Sequence, residues 1–103
     1  MEISLKESSE YTNCNPIPTT FLKLGKCYLV RCVTFTIAGT LKDYNNHEFL
    51  FENCDWIADT GRFHDNLKSC DFNEVEPFVN NVVVNRQSFT DITEIKSTPR
   101  IQK

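Results

Sequence analysis

The strongest pattern in the chain is the apolar run at 27–37, Cys27-Tyr28-Leu29-Val30-Arg31-Cys32-Val33-Thr34-Phe35-Thr36-Ile37. β-Branched and aromatic side chains suit a pleated, half-buried surface, so the run predicts strand. It is too long for one flat strand in a small sheet, so a bend or a second strand is expected near Thr34, continuing from Ala38 to Asp43. Gly39 points to a bulge or a close backbone approach. Tyr44-Asn45-Asn46-His47 predicts a hairpin turn, because Asn tolerates positive φ. From Glu48 to Cys54 the alternation resumes, with Phe49 and Phe51 on one face and Glu48, Leu50 and Glu52 on the other.

Beyond Cys54 the pattern changes. Asp55 to Phe63 is expected to leave the strand, and 60–68 fits one or two helical turns. Thr60 or Asp59 would be the N-cap, and Phe63 and Leu67, four apart, form one apolar face. Residues 73–78 predict a short edge strand, since Pro77 cannot donate to a ladder. Asn80-Asn81 is a second turn, followed by strands at 82–86 and 89–95. Prolines 16 and 18 hold the polar start of the chain extended, as an arm or a disordered leader. The expected layout is an extended N-terminal arm (1–20), a small β domain (21–95) and a basic C-terminal tail (96–103). With no βαβ alternation, the fold class is mainly β: a small antiparallel SH3-like barrel or sandwich with one short helix and extended terminal arms.

Charge adds a division that hydropathy does not show. The net charge is −3 over 103 residues. Residues 1–25 carry −1, residues 26–95 carry six basic and eleven acidic side chains, and residues 96–103 carry +3 from Lys96, Arg100 and Lys103. An acidic body repels phosphates, so direct nucleic-acid binding is not expected. The basic tail is either a solvated end or a contact for an acidic surface. No apolar run is long enough to cross a membrane as a helix, and the opening residues do not read as a secretory signal.

Five cysteines, at 14, 27, 32, 54 and 70, make an odd set with no Cys-x-x-Cys pair. Disulfides are not expected in a reducing cytosol, and no spacing with His47 or His64 matches a zinc site. The cysteines read instead as small buried hydrophobes. No serine stands in a Gly-x-Ser-x-Gly context, no phosphate loop is present, and the Cys–His pairs lack an orienting third group. No catalytic residue, metal or cofactor is expected.

The candidate site is Trp56-Ile57-Ala58-Asp59-Thr60-Gly61-Arg62-Phe63, which holds the chain's only Trp. As a ligand pocket, Trp56 would stack a ring, Arg62 would pair an anion, and amides after Asp59 would add donors near Thr60. As a protein interface, Trp56, Arg62 and Phe63 would be the anchors. The plainer reading puts Trp56 and Ile57 in the core, Gly61 in a turn, Asp59 on the helix cap and Arg62 against a local acid. Glu74 and Glu76 flank Val75 on one face, where they more often solvate an edge strand than do chemistry. With Asp71 they form an acidic stretch that could receive Arg62, Arg86 or the basic tail of another copy.

From Lys26 to Ile95 the chain resembles a family of short phage and prophage proteins without an established activity. The resemblance is carried by Tyr28 to Thr34, the Trp56-to-Phe63 segment, Asn73 to Phe78, and Val82-Val83-Val84. It implies a viral origin and a compact β domain, and it transfers no catalytic residue. Small size, no catalytic set and an oppositely charged body and tail then point to a non-enzymatic structural protein of the phage particle. The expected role is an auxiliary or decoration protein on the capsid, made in the host bacterial cytoplasm and carried in the virion. Its partners would be the major capsid protein or other virion subunits, with self-association possible and no membrane involved. The alternative is an oligomeric phage protein that sequesters a host nucleotide signal or another host defence component, through Trp56, Thr60 and Arg62.

Overall fold

The computed structural model describes residues 20–103. Apart from Thr20, the expected arm (1–20), and Cys14 with it, lies outside the described residues. The elements are β1 (Cys27–Cys32), β2 (Thr36–Tyr44), β3 (Glu48–Asp59), α1 (Phe63–Ser69), β4 (Glu74–Pro77), β5 (Val82–Asn85) and β6 (Phe89–Ile95). All pairings are antiparallel, in the order β4-β3-β2-β1-β6, with β5 also paired to β3. The protein is mainly β, a small barrel-like antiparallel fold with one short helix, as the alternation predicts. The break expected near Thr34 is the turn between β1 and β2, and the hairpin expected at 44–47 joins β2 to β3.

β3 departs from expectation. It does not end at Cys54 but continues to Asp59. Asn53, at φ 52°, inserts a bulge, a conformation Asn tolerates better than most residues. Phe51 and Cys54, three apart, therefore both face one core. Beyond the bulge β3 changes partner, from β5 beside Glu48–Phe51 to β4 beside Asp55–Asp59. Gly39 lies across from this bulge. A Cβ there would come within 2.7 Å of Cys54 Sγ and 3.0 Å of Phe51 Cβ, so the close approach needs glycine.

The sheet buries both faces. On the first, Tyr28, Val30, Ile37, Leu41, Phe49, Phe51, Cys54 and Val84 form an aromatic-rich core. On the second, Leu29, Ala38, Ile57, Cys70, Phe72, Val75 and Ile95 form a smaller one. Alternation along β1 sends Tyr28 and Val30 to one core and Leu29 to the other. Cys54 and Cys70 behave as the small hydrophobes expected, one in each core. Burial pushes the Cys54 thiol up to about 11, so it stays protonated.

α1 covers the second face through Leu67 and the residues after it, and ends at Cys70 in the left-handed region. Its N-cap is Arg62, with no side-chain cap, and not Asp59 or Thr60. Asp59 is still on β3, too early to reach the first turn. Its carboxylate instead accepts the Gly61 N–H at 2.9 Å.

The basic tail is docked on its own domain. Lys103 and Val75 exchange backbone hydrogen bonds of 2.9 and 3.0 Å, Gln102 donates to Glu76, and Lys103 Nζ pairs with Asp71. Segment 100–103 thus runs antiparallel along the outer side of β4. Five residue steps separate Ile95 from Arg100, a reach of at most ~18 Å. In a flat sheet the tail position would lie about five strand spacings, ~24 Å, from β6. The sheet must curl, and the tail bridges the ends of the curl.

Candidate functional site

The segment Trp56 to Phe63 is divided between the two faces of the sheet. Trp56 sits opposite Ile37 of β2 and Glu76 of β4, on the side of the first core. It is 45% exposed. Ile57, the next residue, is buried in the second core. The reading that put both in the core therefore holds for Ile57 and fails for Trp56. The physical reason lies at β4: its residue beside Trp56 is Glu76, an exposed acid that offers no apolar cover.

Asp59, Thr60 and Gly61 form a structural knot. Asp59 accepts Gly61 N–H through its side chain and Asn73 N–H through its carbonyl, at 2.9 Å each. Thr60 O accepts from Asn66 Nδ2 at 2.8 Å. Gly61 has φ 73°, and a Cβ there would clash with Asn66 and come within 2.6 Å of Asn73 Oδ1. These residues tie the end of β3 to α1 and to the entry of β4. Arg62 projects into solvent, 88% exposed, with Asp65 at 3.4 Å. Phe63 lies on the second-face side under Arg31, whose guanidinium is 4.7 Å from the ring centre. Arg31 also binds Asp91 through Nε at 2.8 Å, which lowers the Asp91 carboxyl below its ordinary value. Trp56 is fixed on the first-core side by its strand register, whereas Arg62 lies beyond the end of β3, where the hollow beside it is lined by Arg62, Phe63, His64 and Asp65 and not by Trp56.

Glu74 and Glu76 are exposed at the β4 edge. The acidic stretch does receive a basic tail, but that of the same chain: Glu76 meets Gln102, and Asp71 meets Lys103. Arg62 and Arg86 turn elsewhere, Arg62 to Asp65 and Arg86 over the Phe49 ring at 4.6 Å.

The sequence reading missed Asp55. Its side chain is fully buried, on the second face beside Ala38 and Pro77. Arg100 answers it: the backbone N–H donates to Oδ2 at 3.0 Å, and the guanidinium reaches Oδ1 at 3.4 Å. The same guanidinium donates to the carbonyls of Cys54 and Phe78. Burial pushes the Asp55 carboxyl up, and the Arg100 donors offset only part of that. An Asp flanked by Cys54 and Trp56-Ile57 was the available signal, since a buried carboxylate needs a partner.

Around Trp56 the first face carries further exposed aromatics. Phe35, in the turn before β2, stands two residues from Ile37, and Phe78, just after β4, stands two from Glu76, so both flank the strand positions paired with Trp56. Both are partly exposed, and Val79 next to Phe78 is almost fully exposed. Hollows occur elsewhere, such as one of 400 Å³ lined by Thr20, Phe21, Phe49, Arg86 and Phe89. Among the described residues no group of three metal-ligating side chains converges, and no helix is long and apolar enough to cross a membrane. In comparisons with protein-family models, curated proteins and solved structures, nothing matches this chain.

Proposed function

We propose that the protein is a non-enzymatic phage structural protein, an auxiliary or decoration protein that docks on the capsid through the face around Trp56. The observation that carries this reading is Trp56 itself: a half-exposed tryptophan in the middle of a strand hydrogen-bonded on both sides. A large aromatic held by the sheet loses little freedom when a partner covers it, which is what an interface anchor requires. Phe35 and Phe78 extend the patch, and Glu74 and Glu76 supply an acidic rim that favours a basic counterpart and sets register. The partner is the major capsid protein or another virion subunit.

The test is mass spectrometry of purified virions with copy number, followed by capsid binding of Trp56→Ala. Tens to hundreds of copies per particle, and a variant that folds normally but binds capsids at least about tenfold more weakly, are expected for loss of an anchor residue. Absence from intact particles overturns the capsid assignment. The nucleotide-sequestering alternative has weaker support, because it needs Trp56 and Arg62 on one ligand. A gain in thermal stability with a nucleotide panel would restore it.

A further inference from the structure

The two outer edges of the sheet are treated differently. Among the described residues β6 pairs only with β1, whereas the outer side of β4 is covered by segment 100–103. That cover is specific. It offers reciprocal backbone bonds at Val75, a fully buried carboxylate at Asp55, the Cys54 and Phe78 carbonyls for a guanidinium, and Asp71 for an ammonium. These groups form a groove for an extended strand with arginine at its first position and lysine at its fourth. The occupant is joined to β6 by Lys96-Ser97-Thr98-Pro99 alone. This connection is only four residues long, and Arg100 at its end takes a positive φ of 56°, a region that disfavours non-glycine residues.

We infer that segment 100–103 is an exchangeable strand, and that the β4 groove accepts the same segment from a second copy of this chain to give a tail-swapped dimer. Three observations select that occupant. The tail of a second copy satisfies every groove contact identically, including the buried Asp55 that no neutral segment would neutralise. The tail carries +3 and the body −5, so two copies attract tail to body. A short connection ending in a strained residue gains by opening, which is the general condition for exchange. The inference is independent of the capsid reading.

Hinge length tests it on the full chain. Lengthening the connection by inserting Gly-Gly-Ser after Ser97 relaxes the reach within one molecule, at little cost in loop entropy. Deleting Ser97-Thr98 cuts the greatest reach of the connection from ~18 to ~11 Å, which disfavours docking within one molecule. Light scattering after size-exclusion chromatography, across a concentration series, reads the mass. The natural chain is expected to show a dimer at high concentration that the insertion shifts toward monomer, and the deletion a dimer at all concentrations. Adding Arg100→Ala to the deleted chain is expected to weaken its dimer about tenfold or more, for loss of a charged buried hydrogen bond. A natural chain that stays monomeric, a dimer fraction unmoved by the insertion, or a folded monomer from the deletion each overturns the inference. If the deleted chain fails to fold, the natural and lengthened chains decide between them.

Discussion

One sheet is sealed in two ways. Its first face closes by apolar volume: Phe49, Phe51 and Phe89 pack together, with Gly39 giving up its side chain to let Cys54 in. Its second face closes with fewer apolar groups, a helix that buries none of its own residues, and a tail whose Arg100 meets the buried Asp55. The first has no buried carboxylate among its described core residues, and the charge packed on it, Arg86, lies over the Phe49 ring. The second depends on a fixed ionic contact and therefore responds to pH and to anything that competes for the groove. A protein this small has too little apolar surface to seal both faces by volume alone.

The largest effects should be shared by both faces. Phe51→Ala and Phe72→Ala, each fully buried in its own core, should each cost ~3–5 kcal/mol in denaturant unfolding. Similar losses would show that the smaller core packs as tightly as the larger. Arg100→Ala should come next, at ~2–3 kcal/mol, because it strands a buried carboxylate. A loss near zero would mean the second face closes without its tail. Gly39→Ala should cost ~1–3 kcal/mol by overpacking against Cys54 and Phe51, with no change in pH dependence.

The smallest effects are those of pH, and they separate the faces most cleanly. Asp55 titrates above its ordinary value, so its contribution is full at low pH and is lost as pH rises through its folded value. Asp91 titrates below its ordinary value, so its contribution is full above the ordinary value and is lost as pH falls through the lower folded one. Both belong to the second face. Thermal melts of Asp91→Asn from acid to neutral pH should therefore lose part of the natural chain's decline at low pH. Asp55→Asn should flatten the dependence on the neutral side.

The alternation of residues 27–54 made the first three strands and the first core legible. Phe49, Phe51 and their strand partners differ from their neighbours by a period of two and nothing more. The extent of β3 was not legible, because the bulge at Asn53 resets that period and makes Asp55 look like the start of a loop. The split of the Trp56-to-Phe63 segment follows from the same cause: only a strand running to Asp59 puts Trp56 and Ile57 on opposite faces. The tail's charge was visible and its destination was not. A groove built from Asp55, Cys54, Val75 and Phe78 exists only after β3 and β4 have paired.

That dependence sets an order of events for the newly made chain. β1, β2 and β3 follow one another as a meander, so most of the first face can form from neighbours in sequence as they emerge, before Val84 and Phe89 complete it. Asp55 waits for a residue 45 positions later, and β1 for β6 before that. Contacts of such separation carry the loop-closure entropy that slows folding. For the interval between synthesis of Pro77 and of Arg100, β4 has an open edge and a buried acid without its base. In a crowded cell assembling many copies at once, the first tail to arrive need not be the chain's own.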